Sequence, residues 1–141
     1  MTVYADTSVI VAALTNEIAT ARAQAWLVAQ TPPDLLISDW TLTEVSSALS
    51  TKLRAGQITV HLHGKALATF NTQVAHSFTV RTVDGSNFRT AARFAEMHAL
   101  GLRAGDALHL AVAAAGGATV CTLDRRMAEV AVALGIPTDL L

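Results

Sequence analysis

Short apolar runs alternate along this chain with longer segments of helical period. Val3-Tyr4-Ala5 reads as a strand that stops at Asp6, and a helical segment follows from Val9 to Leu14. Thr20 to Gln30 reads as an alanine-rich helix carrying Trp26 and Leu27, ended by Thr31-Pro32-Pro33. Leu35-Leu36-Ile37 is the next strand. From Thr41 to Ala55, Leu42, Val45, Leu49 and Leu53 recur at near-helical spacing until Gly56 stops the run. Thr59 can cap a helix reaching about His76, and Phe78 to Val83 forms a third strand. Asp84-Gly85-Ser86 turns into a helix that runs to about Leu100, with Gly101 behind it. Arg103 to Ala115 is a nearly all-apolar helix that Gly116-Gly117 ends. Thr119 to Thr122 makes a fourth strand, Arg125 to Leu134 a helix, and Gly135-Ile136-Pro137 leads to a short strand near Thr138.

The resulting order, β-α-α-β-α-α-β-α-α-β-α-β, predicts an α/β fold. It implies a parallel sheet of four to five strands with helices on both faces, a three-layer arrangement. No internal repeat, low-complexity tract or linker interrupts residues 1–141, so one domain is expected.

Composition sharpens this picture in one respect. Of 141 residues, 52% are hydrophobic and 15% charged, against about 25% charged in ordinary globular chains. Disorder is excluded. The apolar surplus calls for either a broad two-faced core or an apolar surface that meets a partner. A membrane span is not expected. The longest stretch without Asp, Glu, Lys or Arg, Ala107 to Leu123, holds His109 and two glycines and falls short of the roughly 20 apolar residues a span needs. Met1 to Asp6 lacks the basic start of a signal peptide, and the single Cys121 cannot form an intrachain disulfide, so a cytoplasmic location is expected.

Net charge is −1, so individual charges carry the argument. In an open α/β sheet, ligands gather outside the carboxyl ends of the strands. Asp6 ends the first strand and Asp124 follows the fourth. Glu44 falls in the first turn of the helix after the second strand, and Asp106 opens the apolar helix after Leu102-Arg103-Ala104-Gly105. Each could simply cap a helix, a contribution of about 1 kcal/mol. As a set they resist that account. Two carboxylates about 4 Å apart repel by about 4 kcal/mol at an effective dielectric of 20. Four converging acids imply a cation, and an all-oxygen donor set points to Mg²⁺ or Mn²⁺.

Asp6-Thr7-Ser8, Glu44 within Thr41-Leu42-Thr43-Glu44-Val45, the run Leu102 to Ala111 around Asp106, and Thr122-Leu123-Asp124 occur in the order and spacing of PIN domains. The sequence resembles the VapC-type toxins of bacterial and archaeal toxin–antitoxin pairs. That resemblance covers nearly the whole chain and implies strand order 3-2-1-4-5 and a Mg²⁺- or Mn²⁺-dependent endoribonuclease. Its four acids fall on Asp6, Glu44, Asp106 and Asp124. Asp6 and Asp106 are expected as ligands, direct or through water, with Glu44 and Asp124 completing the cage or a second site. Ser8 and Thr122 are expected to orient carboxylates. The resemblance also implies an RNA substrate, a homodimer, and a VapB-type antitoxin whose segment covers the acidic site.

Setting the quartet aside leaves seven acids against ten Lys and Arg residues. Arg103, Arg125 and Arg126 flank the acids and are candidate phosphate contacts, with Lys52 and Arg54 weaker ones. Other polar residues read more plainly. His61 and His63, two apart on a helix, do not face together and are expected as exposed helix histidines. His109 could approach the acids from three residues beyond Asp106, but the expectation is a packed core histidine. Trp26 and Trp40 read as packing or partner contacts, and Cys121 as core.

Two other enzyme classes fit poorly. A phosphoaspartate phosphatase with its nucleophile at Asp6 would need an acid where Ser8 stands, and a receiver domain would need a late lysine, whereas the lysines are Lys52 and Lys65. The alternative of a different kind is a non-catalytic RNA-binding or scaffold module of the same fold.

Overall fold

Most strands end where a small polar side chain takes over to start a helix. The computed structural model describes residues 1–141. Strand β1 (Val3–Ala5) passes through Asp6 into α1 (Thr7–Leu14), and α2 (Thr20–Val28) returns toward β2 (Leu35–Ser38). Ser38 ends β2 and caps α3 (Asp39–Arg54), accepting from the Thr41 amide while the Thr41 hydroxyl accepts from the Ser38 amide. Then come α4 (Val60–His76), capped by Thr59, and β3 (Thr79–Arg81). Asp84 caps α5 (Gly85–Glu96) through the amides of Ser86 and Asn87. A 3₁₀ turn at His98–Leu100 leads to α6 (Ala104–Ala115) and β4 (Thr119–Thr122). Asp124 caps α7 (Arg125–Ala133), and β5 (Thr138–Leu140) closes the sheet.

All strand pairs are parallel, in the order β3-β2-β1-β4-β5. The α/β class, the five-stranded sheet and its order agree with the sequence reading. Alternation along the central strands builds two cores. Tyr4, Leu36 and Val120 share one face, where Leu110, Met127 and Ile136 pack on them. Ala5, Leu35 and Ile37 share the other, beneath Ile10, Val45, Leu49 and Phe70. Burial on both faces absorbs much of the apolar surplus. No helix is long and apolar enough to cross a membrane.

Several boundaries differ from the sequence reading, three of them next to the acids and the cavity beside them. α1 begins at Thr7 because Asp6 already occupies the N-cap position. α5 stops at Glu96, with the 3₁₀ turn and then Gly101, at φ 61°, continuing the chain. α3 begins at Asp39, since Ser38 supplies the cap, and so Glu44 sits in its second turn, beyond the helix-terminal field.

Candidate metal centre at the switch point

The chain winds outward from β1 through β2 to β3, then returns to the other side of β1 for β4 and β5. The switch therefore lies between β1 and β4, and Asp6 and Asp124 follow the carboxyl ends of these two strands. α3 and α6 bring Glu44 and Asp106 to the same edge.

Asp6 is buried, at 5% exposure. It stands at the N-cap position of α1 yet makes no side-chain capping bond, so capping does not explain it. Its Oδ2 instead accepts from Ser8 Oγ at 2.7 Å and from Thr122 Oγ1 at 2.8 Å. Ser8 Oγ accepts in turn from the Leu123 amide, and Thr122 Oγ1 from the Asp124 amide. Oδ2 is thus saturated and the carboxylate is held in one orientation, leaving Oδ1 free of strong partners.

Glu44 repeats the device from another side. Its Oε1 accepts from Thr7 Oγ1 at 2.6 Å and meets His109 Nε2 at 2.7 Å. Burial works to raise this carboxyl, but the hydrogen bonds from His109 and Thr7 outweigh it and hold its pKa below the ordinary value. Glu44 Oε2 faces Gly105, where an added Cβ would lie 2.8 Å away. Trp40 stands beside the same carboxylate, but its buried Nε1 lies outside hydrogen-bonding geometry, so it assists only weakly.

Asp106 and Asp124 stand beside this group. With Arg103, Arg126 and Gly101 they line a cavity of about 160 Å³. Burial, and then the charges of Asp6 and Asp124, push the Asp106 carboxyl above its ordinary value. Asp124 is exposed and caps α7 through the Met127 amide at 3.1 Å. For this one acid the capping role holds, with its second oxygen left over.

Two further residues join the cluster, one weighed in the sequence and read as core, the other read only as part of a strand. His109, read as core, is indeed fully buried, but its ring reaches Glu44 and comes within 3.7 Å of Asp6 Oδ1. Asp6, Glu44 and His109 each present a ligand atom within 4.8 Å of the others. Tyr4, hidden in an apolar strand, puts its hydroxyl 2.7 Å from His109 Nδ1. The signal available for His109 was its place one helical turn beyond Asp106. For Tyr4 there was none.

The remaining candidates separate clearly. Arg126 reaches the Gly101 carbonyl at 3.2 Å beside the acidic cavity, and Arg103 lines that cavity. Arg125 is exposed next to Asp124. Lys52 instead pairs with Glu17 at 2.8 Å, and Arg54 bonds back to Ser50 and Thr51 on its own helix. His61 is exposed and His63 half-buried on α4, apart from the acids. Trp26 packs beneath α1, and Cys121 is wholly buried, its thiol pushed up to about 12 by burial.

An acidic cluster at the switch point of a doubly wound parallel sheet could hold a metal ion. The PIN domain family model matches residues 3–133, and the chain belongs to that family. No curated protein sequence matches it. Among solved structures, it resembles the Mycobacterium tuberculosis toxin VapC20, described as cleaving the sarcin-ricin loop, with TM-score 0.75, 20% identity and 96% of each chain covered. FitAcB of Neisseria gonorrhoeae aligns with TM-score 0.69 and 21% identity over 96% of this chain and 95% of that one. VapBC2 of Rickettsia felis, bound to a promoter DNA fragment, aligns with TM-score 0.66 and 16% identity over 99% and 98%. At these identities the likeness is one of fold.

Proposed function

We propose that this protein is a Mg²⁺- or Mn²⁺-dependent endoribonuclease, the toxin of a VapBC-type toxin–antitoxin pair. The observation that carries the reading is the pair of carboxylates with one oxygen tied down and the other left open. Asp6 Oδ2 and Glu44 Oε1 are saturated by hydroxyl and ring donors, which leaves Asp6 Oδ1 and Glu44 Oε2 as the oxygens available to a cation. The raised Asp106 carboxyl adds a group whose charge a cation would stabilise. The donor set suits a hard divalent ion held by Asp6, Glu44, Asp106 and Asp124. When bound, such an ion supplies Lewis-acid activation of water and offsets the charge of a phosphodiester.

The protein's own groups do the positioning. Ser8 and Thr122 orient Asp6, Thr7 and His109 orient Glu44, and Arg103, Arg125 and Arg126 offer contacts to the phosphate backbone on the flank of the acids. The fold likeness to the toxin VapC20 and to toxin–antitoxin structures supports an RNA substrate and an antitoxin partner, and the proposal places the protein in the cytoplasm. A homodimer completes the proposal, with exposed apolar side chains such as Phe88 and Val132 available for contacts.

The test compares wild type with Asp6→Asn, both purified and verified as folded by circular dichroism. Wild type should cleave RNA with added Mn²⁺ and stop in EDTA, while Asp6→Asn should not cleave at all. Cleavage by the folded mutant, or by wild type in chelator, would sink the reading. Sequencing of RNA ends in cells expressing each form then identifies the target.

A further inference from the structure

Three groups at the centre offer ligand atoms, yet their hydrogen-bond directions do not leave all three free to bind a cation. The ring of His109 is fully buried between Tyr4 and Glu44. Its Nε2 lies 2.7 Å from Glu44 Oε1. A bare nitrogen lone pair at that distance from a carboxylate oxygen would be repelled, so Nε2 must carry a hydrogen. At the other end of the ring, the donors fit a one-way arrangement. Ser38 Oγ and Thr41 Oγ1 lie 2.8 Å and 3.3 Å from Tyr4 Oη, in a buried pocket where each hydroxyl hydrogen needs an acceptor. Both oxygens already accept from backbone amides, Ser38 Oγ from Thr41 and Thr41 Oγ1 from Ser38. If both hydroxyls donate to Tyr4 Oη, its own hydrogen is left for His109 Nδ1 at 2.7 Å, and every group is satisfied.

Resting on the proposed metal site, we infer that His109 is a positioning residue and not a metal ligand. A one-way chain runs from Ser38 and Thr41 through Tyr4 to His109 and ends on Glu44. Its Nε2–H holds Glu44 Oε1 and leaves only oxygens to face the cation. It links β2, β1, α6 and α3 at the sheet edge, so the position of Glu44 is coupled to the packing of the sheet itself. The consequence for selectivity is direct. A nitrogen in the ligand set would favour softer transition metals, whereas an all-oxygen set keeps Mg²⁺ and Mn²⁺ as the ions of choice.

The decisive measurement is long-range ¹H–¹⁵N NMR of the full-length, ¹⁵N-histidine-labelled protein, with the His109 signal assigned by its loss in His109→Gln. The apo protein should show His109 protonated on Nε2 and bare on Nδ1, and the pattern should persist on saturation with Mg²⁺. Protonation on Nδ1 alone, or loss of the Nε2 hydrogen on adding Mg²⁺, overturns the inference. Calorimetric Mn²⁺ titration supplies a second arm. His109→Gln keeps an N–H able to reach Glu44 and should stay within about threefold of wild type, whereas His109→Leu should weaken binding by about 10–100-fold. Equal losses in two folded variants would restore His109 as a ligand. If wild type binds neither Mg²⁺ nor Mn²⁺, the metal-site reading fails, and the apo tautomer still reports the direction of the chain.

Discussion

Gly105 offers a perturbation that separates the site from the fold. It occupies the first turn of α6, and an added Cβ would lie 2.8 Å from Glu44 Oε2 and 3.3 Å from Trp40 Cζ2. On an unobstructed helix, Gly→Ala stabilises by about 0.5–1 kcal/mol. Here the carboxylate must retreat by about 0.5–1 Å to reach ordinary contact. That movement strains the hydrogen bonds from Thr7 and His109, and each bond to a charged group is worth about 1.5–3 kcal/mol. Partial loss of these roughly cancels the helix gain, so Gly105→Ala should unfold in urea within about 1 kcal/mol of wild type. The site should not escape so lightly, because misplacing a reacting group by 1 Å costs about 100-fold. Mn²⁺ affinity by calorimetry and single-turnover cleavage of a synthetic RNA should both fall by about 10–100-fold. An alanine variant with unchanged affinity and cleavage would show that Glu44 Oε2 is not part of the centre.

Asp106→Asn should stabilise the metal-free protein, raising its melting temperature by a few degrees, because it removes a carboxyl raised by burial and by Asp6 and Asp124. The sign follows from linkage: the native state holds this proton more tightly than the unfolded chain, so wild-type stability falls as pH rises through the Asp106 titration. Calorimetric melts across that range should show the loss in wild type and not in Asp106→Asn; parallel curves would refute the repulsion. Asp84 behaves in the opposite sense. Hydrogen bonds from Ser86 and Asn87 hold its carboxyl below the ordinary value, so its capping contribution is present at neutral pH and lost as pH falls through its native titration. Asp84→Ala should therefore melt lower than wild type at neutral pH and alike in acid, with Mn²⁺ binding untouched; an equal deficit at both pH values would count against the ionised cap.

The alternation of apolar runs determined the α/β class, the succession of elements and the two-faced sheet, because burying both faces of a parallel sheet leaves little choice of residue. The four acids proposed for the site stand out for a related reason. In a chain with so few charges, Asp6, Asp106 and Asp124 are conspicuous beside strand ends and helix starts, and Glu44 follows in the second turn of α3. What the sequence could not contain was the direction of individual hydrogen bonds. Tyr4 looks like any core aromatic until β2 brings Ser38, and α6 brings His109, to its hydroxyl. His109 looks like packing until α3 sets Glu44 against it. Gly105 looks like helix punctuation until Glu44 Oε2 fills the space its missing side chain leaves. Those relations join residues that lie 34 to 105 positions apart in sequence, and local propensity carries no information across such spans. Tertiary packing alone decided which oxygen of each carboxylate is tied and which is open.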